Sequence, residues 1–246
     1  MSMDTADRPV ALVTGSTSGI GEAVARRFAA DGMRVVVHSR RSAAAGRALA
    51  EELGGTYLRA DLEVEDEARG LMEAALDRYG RLDVLVNNAG ISRPIPHADL
   101  AAATPADWRR LLEVNLIAPW VLCTAALPAL RTAPGGGSIV NITSHAGVRP
   151  KGSSVPYAAS KAALNHVTLL LAAALGPDVR VNAVAPGLVD TPMTKDWAGV
   201  HDLWRERAPM RRPARPEDVA DLVASVVGSA YLTGEVIVLD GGLHLT

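Results

Sequence analysis

A tyrosine and a lysine stand four residues apart in Tyr157-Ala-Ala-Ser-Lys161. On a helix that spacing stacks the two side chains one turn from each other on one face. A free phenol titrates near pH ~10 and is a poor acid or base at neutral pH. A cation one turn away favours the phenolate and lowers that value. A lowering of ~2–3 units corresponds to roughly 3–4 kcal/mol of differential interaction. Tyr157 then suits a carbonyl/alcohol couple as proton donor and acceptor. The pair alone is common on ordinary helix faces, so the rest of the chain has to support it. Ser144 lies thirteen positions before Tyr157, just after Ser138-Ile-Val-Asn-Ile142, which reads as a strand. Its hydroxyl is placed to point into a crevice at the strand's end. His145 beside it reads as a pocket wall. Asn115 sits within a helical pattern over 105–130, where its amide either bonds a core carbonyl or holds a water in a proton relay.

Such groups need a scaffold that brings strand ends together. Pro9-Val-Ala-Leu-Val13 reads as a buried strand and runs into Thr14-Gly-Ser-Thr-Ser-Gly-Ile-Gly21. Ile20, Val24 and Phe28 then recur every four residues, as on a helix. Strand, glycine loop and helix form the context of a dinucleotide fingerprint. Gly15, Gly19 and Gly21 allow close approach of a pyrophosphate, and the helix start around Ser18 and Ile20 offers free N–H groups and a positive dipole end.

The second strand, Met33 to His38, leads to Ser39-Arg40-Arg41. An acid at this position would hold a ribose 2′-hydroxyl, and none is present. Arg40 is placed to meet a 2′-phosphate, with Ser39 as a neutral donor and Arg41 as support. The expected cofactor is NADP(H), with NAD(H) possible. Further strands are expected at 56–60, 82–86, 138–142, 179–185 and 234–239, separated by helices. Asp61 follows the third strand, where it would accept from an adenine amino group or cap the next helix. Asn87-Asn-Ala-Gly90 follows the fourth, and the small residues Ala89 and Gly90 leave room for a flat ring.

The chain has 246 residues, 48% of them hydrophobic, and a net charge of −2. That is enough for one large domain over 1–246, and the near-neutral charge gives no reason to expect nucleic acid or an anionic membrane as partner. The single cysteine, Cys123, has no internal disulfide partner, which fits a reducing compartment. The first eight residues lack the apolar core of a signal peptide, and the longest uninterrupted apolar runs are too short to span a bilayer. A cytoplasmic protein is expected. No metal site is suggested.

Taken together, Thr14-Gly-Ser-Thr-Ser-Gly-Ile-Gly21, Asp61, Asn87-Asn-Ala-Gly90, Asn115, Ser144, Tyr157-Ala-Ala-Ser-Lys161, Pro186-Gly187 with Thr191, and Asp240-Gly-Gly242 resemble the short-chain dehydrogenase/reductase superfamily. The likeness is to its compact single-domain type, including 3-oxoacyl-carrier-protein-reductase-like members. It covers essentially the whole chain. The resemblance implies an α/β Rossmann-type three-layer sandwich with a seven-stranded parallel sheet of order 3-2-1-4-5-6-7. It implies that Tyr157 is the general acid or base, that Lys161 tunes it and binds the nicotinamide ribose, that Ser144 bonds the substrate oxygen and that Asn115 orders a relay water. It further implies that Asn88 lies against the ribose, that Asp61 and Leu62 frame the adenine, and that the stretch from Pro186 through Gly187 meets the carboxamide through the Val189 backbone and the Thr191 hydroxyl. A substrate lid is expected at about 190–215, its Met193, Trp197, Leu203, Trp204 and Met210 suiting an apolar substrate.

The chain departs from some NADP-using relatives in having no basic residue at Ser16, Thr17 or Ser18. After Lys161 there is no Lys or Arg until Arg180, which argues for a free small molecule over a carrier-bound acyl chain. A 3-oxoacyl-carrier-protein reductase is the first alternative, and a nucleotide-sensing protein that lost the chemistry is the second. The helices over 105–130 and 155–175 are apolar nearly all round, so a homodimer or homotetramer is expected.

Overall fold

The computed structural model describes residues 8–246. Residues 1–7, on which most of the expectation about a signal peptide falls, lie outside the described residues. In chain order come β1 (Val10–Val13), α1 (Gly19–Ala30), β2 (Arg34–Ser39), α2 (Ala43–Glu52), β3 (Thr56–Arg59), α3 (Glu65–Tyr79) and β4 (Val84–Asn87). They are followed by α4 (Pro105–Leu112), α5 (Ala118–Arg131), β5 (Gly137–Ile142), α6 (Val155–Leu175), β6 (Val179–Pro186), α7 (Ala198–Arg207), α8 (Pro216–Gly228) and β7 (Val236–Leu239).

The strands are parallel and lie in the order β3-β2-β1-β4-β5-β6-β7, as expected. Side chains alternate across a strand, so a strand apolar at every position must be covered on both faces. In β1, Val10 and Leu12 join one core with α3, α5 and α6, while Ala11 and Val13 join the other with α1, α2 and α8. Phe28 of α1 is 1% exposed, and truncating it to Ala would cost about 3–5 kcal/mol. The order reverses between β1 and β4, so their connections leave on opposite sides and open a crevice at the strand ends.

The helix predicted over 105–130 is not uniform. A π-helical turn over Glu113–Ile117 separates α4 from α5, with the Ala118 N–H donating to the Glu113 carbonyl. Pro119 has no N–H to give to the carbonyl four residues back, that of Asn115, so the α-type ladder cannot continue through this point. The widened turn carries Asn115.

The membrane expectation needs correction on one count. The helical span Pro105–Arg131 and α6 are both long and apolar enough to cross a bilayer by length and composition. Uninterrupted apolar runs understate this, because Ala, Thr and single polar residues lengthen the apolar stretch. About half of each helix is buried against the protein, as in helices that cover a sheet.

Candidate active site

A cleft of ≈ 430 Å³ opens at the C-terminal ends of β1, β2, β4 and β5. Each position expected to bind cofactor or do chemistry lines it, except Gly21 and Asn115; the lid's Met193 lines it too. Gly15 and Gly19 take left-handed φ values of 63° and 55°. A Cβ on Gly21 would lie 2.5 Å from both Asn88 Nδ2 and the Gly15 carbonyl oxygen, so only glycine fits there. Ser18 is the N-cap of α1 and makes no side-chain cap bond, leaving its hydroxyl and the first-turn N–H groups for an anion. These features fit a dinucleotide pyrophosphate.

The loop is held from below. Thr14 Oγ1 accepts from the N–H groups of Asn88 (3.0 Å) and Ala89 (2.9 Å). The Asn88 amide donates to the carbonyls of Thr14 (2.8 Å) and Gly15 (3.2 Å). Asn88 thus clamps the phosphate loop through its side chain. His38 was not foreseen as part of the site. Its Nδ1 accepts from the Gly15 N–H at 3.0 Å, which leaves Nε2–H to donate to the Ala60 carbonyl at 3.1 Å. Burial lowers its pKa to about 4, so the ring is the neutral one this pairing requires.

At the ends of β2 and β3 the residues expected to meet the adenosine line the cleft, but they are not free. Arg40 Nη1 donates to Glu63 Oε1 at 2.6 Å and lies 3.6 Å from Asp61. Arg110 of α4 donates to the same Glu63 oxygen through Nε (3.1 Å) and Nη2 (3.0 Å). Asp61 accepts from the Glu63 N–H at 3.1 Å, and α3 is capped at Val64, so Asp61 braces the turn and does not cap the helix. Ser39 is paired with the Tyr57 hydroxyl at 3.0 Å, and Arg41 is exposed. Leu62 turns its side chain into the core. Glu63 and Arg110 escaped sequence reasoning because only the fold carries α4 to the end of β3.

At the end of the cleft beyond β5, α6 starts with Ser154, whose hydroxyl accepts from the Tyr157 N–H, and Pro156 lies in the first turn. This fixes the rotation of the helix and presents Tyr157 and Lys161 to the cleft with Ser144. Lys161 Nζ donates to the Ile142 carbonyl at 2.9 Å. With no carboxylate beside it, burial lowers its pKa to about 8. For Tyr157 the direction is opposite to the sequence expectation: burial pushes the phenol above its ordinary value, and the Ser144 hydroxyl pulls against this. Four-residue spacing puts the ammonium on the same face, but it is desolvation of the phenolate, opposed by Ser144 and not by Lys161, that sets the direction.

Asn115 is fully buried. Its Oδ1 accepts from the Ile91 N–H (2.9 Å), and its Nδ2 donates to the Ile91 carbonyl (3.0 Å) and Ser160 Oγ (3.1 Å). A Cβ on Gly90 would sit 3.2 Å from Asn115 Oδ1 and 3.4 Å from Lys161 Nζ. The π turn therefore brings Asn115 next to the lysine, while its amide serves the loop after β4. His145, expected as a pocket wall, does not line the cleft: it is buried behind Ser144, edge-on to Trp204 and 3.5 Å from Asp240.

Beyond β6, Gly187 passes so close to Asp240 and Trp204 that a Cβ would lie 2.9 Å from each. Val189 bridges to Ala214, and Thr191 contacts Thr194 and the space over Gly19. The lid's tryptophans do not face the cleft. Trp204 is buried with Leu188, Ala208 and Leu243, and Trp197 and Leu203 pack on this cluster, so they anchor α7. Among the described residues no cluster of His, Cys, Asp and Glu could hold a metal ion.

A family described as Enoyl-(Acyl carrier protein) reductase matches residues 15–244. A Streptomyces violaceoruber protein named as ketoacyl reductase 2 of the granaticin polyketide synthase is 53% identical, with all of both chains covered. Two solved structures each have a TM-score of 0.88. A blue fluorescent protein from a metagenomic library, in complex with NADPH, is 35% identical, with 96% of this chain and 97% of that one covered. A 3-ketoacyl-(acyl-carrier-protein) reductase from Brucella melitensis, complexed with NADH, is 32% identical over 96% of this chain and 98% of its own. With this match over nearly its whole length, a parallel sheet in the expected order and a serine, tyrosine and lysine beside a glycine-rich phosphate loop, the chain belongs to the short-chain dehydrogenase/reductase superfamily and is an NAD(P)-dependent oxidoreductase.

Proposed function

We propose that the protein is an NADPH-dependent carbonyl reductase with Tyr157 as the proton donor. The observation that carries the reading is that Ser144, Tyr157 and Lys161 line the same cleft as the phosphate loop and Arg40. A bound nicotinamide supplies the hydride. The protein supplies orientation, one proton and stabilisation of the oxygen that gains charge. Ser144 Oγ donates a hydrogen bond to the substrate carbonyl oxygen. Tyr157 gives its hydroxyl proton to that oxygen, and Lys161 stabilises the phenolate left behind. A phenol held above its ordinary pKa is fully protonated at neutral pH, the form that reduction needs. The lysine, lowered to about 8, is still mostly charged there.

The substrate in this reading is a ketone on a small acyl or polyketide-type molecule, supported by the name of the 53% identical relative. The absence of Lys and Arg between Lys161 and Arg180 favours a free substrate over a carrier-bound one. Preference for NADPH rests on Arg40 and on the lack of an acid directly after β2. The same reading has the protein cytoplasmic and self-associating, with residues 190–215 as the lid.

The test is a panel of free ketones, 3-oxoacyl thioesters on a carrier protein, sugars and quinones, assayed with NADPH and NADH by loss of nicotinamide absorbance. Turnover of a free ketone with NADPH ahead of NADH is the expected result. Turnover of the carrier-bound thioester far above every free ketone would reject the free-substrate reading, and NADH in front would reject the cofactor preference.

A further inference from the structure

Glu63 stands between two arginines beside the residue, Arg40, that the reading above assigns to a 2′-phosphate. Its Oε1 accepts from Arg40 Nη1 at 2.6 Å and from Arg110 Nε and Nη2 at 3.1 and 3.0 Å. Arg40 and Glu63 both line the cleft, and Arg110 does not. Hydrogen bonds from Arg110 and Arg40 hold the Glu63 carboxyl below its ordinary range, and Arg110 supplies two of the three. Glu63 therefore remains a paired carboxylate even when Arg40 turns away. The four paired groups carry no net charge, Arg40 and Arg110 against Asp61 and Glu63, and Arg41 on the cleft lining adds one positive charge outside these pairs.

We propose that Glu63 and Arg110 set the cofactor preference of this protein by controlling how available Arg40 is to the 2′-phosphate. This rests on the functional reading above, in which Arg40 is the group that meets that phosphate. Without the phosphate, Glu63 shares its oxygen between the two guanidiniums. When the phosphate arrives, Arg40 changes acceptor and Arg110 alone keeps Glu63 neutralised. Arg110 is thus a positioning residue that acts through Glu63 without touching the cofactor. Remove Arg110, and Glu63 turns its full charge on Arg40 and on the incoming phosphate. Remove the Glu63 charge, and Arg40 is released.

The network has a consequence that a local contact would not have. Arg110→Ala should weaken NADP+ binding only while the Glu63 carboxylate is present. The experiment measures dissociation constants of NADP+ and NAD+ by calorimetry, without substrate, for the wild type, Glu63→Gln, Arg110→Ala and the double variant. For a half-exposed ion pair the changes are roughly two- to fivefold at low salt. Glu63→Gln should tighten NADP+ relative to NAD+ by that factor. Arg110→Ala should loosen it by a similar factor, and in the Glu63→Gln background it should do nothing. NAD+ affinity should hold across the set, which also shows the pocket intact. If Glu63→Gln fails to bind NAD+, Glu63→Ser takes its place. An equal loss for Arg110→Ala in both backgrounds would mean that Arg110 acts on the phosphate directly and would overturn the proposal. So would a NADP+ to NAD+ ratio unmoved or lowered by removing the Glu63 charge. A wild type that binds NAD+ more tightly overturns the stated preference instead, and the ratio changes still decide the role of Glu63.

Discussion

Tyr157 and Lys161 show how residue chemistry depends on surroundings more than on spacing. A stack one turn apart argues for a phenol made acidic by its neighbour. In the folded chain both groups are desolvated, which pushes the phenol up and the ammonium down to about 8. In the proposed function the phenol donates a proton, and Tyr157→Phe removes it. Turnover should fall by about 10²–10⁴-fold, with the cofactor dissociation constant unchanged. A variant that keeps its turnover would end the assignment of Tyr157. His38 makes a second prediction at this scale. Its pKa in the folded chain, about 4, is below the ordinary 6.5, so the unfolded chain takes up the proton first. The stability contributed by the neutral ring is complete above about pH 6.5 and is lost as pH falls towards 4. The difference in unfolding free energy between the wild type and His38→Gln should narrow by about 3 kcal/mol over that range. A difference that is flat with pH would mean His38 does not carry the effect.

At the scale of elements, glycines separate those that serve the site from those that do not. Gly21 opens α1 beneath Asn88, where a Cβ would need to share space with an amide and a carbonyl at 2.5 Å. Gly70 lies within α3 with nothing within 4 Å of its would-be Cβ. Gly21→Ala should therefore destabilise by ~1–3 kcal/mol through overpacking and weaken cofactor binding. Gly70→Ala should stabilise by ~0.5–1 kcal/mol, because an alanine has less backbone freedom to lose in a helix. Thermal unfolding with and without NADP+ checks both, and equal shifts for the two would contradict the close approach of loop and clamp. The π turn between α4 and α5 belongs to this scale as well. Pro119 breaks the ladder at the carbonyl of Asn115, and the side chain of Asn115 then brackets Ile91 beside Lys161.

For the molecule as a whole, the outer faces of α5 and α6 matter most. Ile117 at the end of the π turn and Trp120 of α5 are 40% and 48% exposed, and Leu169 and Leu170 of α6 are 42% and 57% exposed. About half of each helix is covered by the rest of the protein, and apolar side chains exposed together on the other side favour burial against a second copy. Size-exclusion chromatography with light scattering should give a dimer or tetramer mass. Leu170→Glu should shift it towards monomer, by placing a charge in a face that association would bury. A monomer mass for the wild type would leave these faces unexplained and end the expectation of self-association.

The sequence by itself determined the order of the strands along the chain and the glycine loop, and it singled out Ser144, Tyr157 and Lys161 as candidates. Each is local information: strands apolar at every position, a glycine triplet between strand and helix, and a four-residue spacing on one helical face. Arg40 was also legible, because it directly follows a strand whose end had to border the cleft. The pairing of Arg40 with Glu63 and Arg110 was decided only by tertiary structure, since those residues come from three separate segments that meet at the end of β3. The same holds for His38 under the glycine loop, for Trp204 as an anchor of α7 and for the direction in which Tyr157 titrates. Desolvation and ion pairing depend on which distant segments close over a group, and a reading along the chain has no access to that distance.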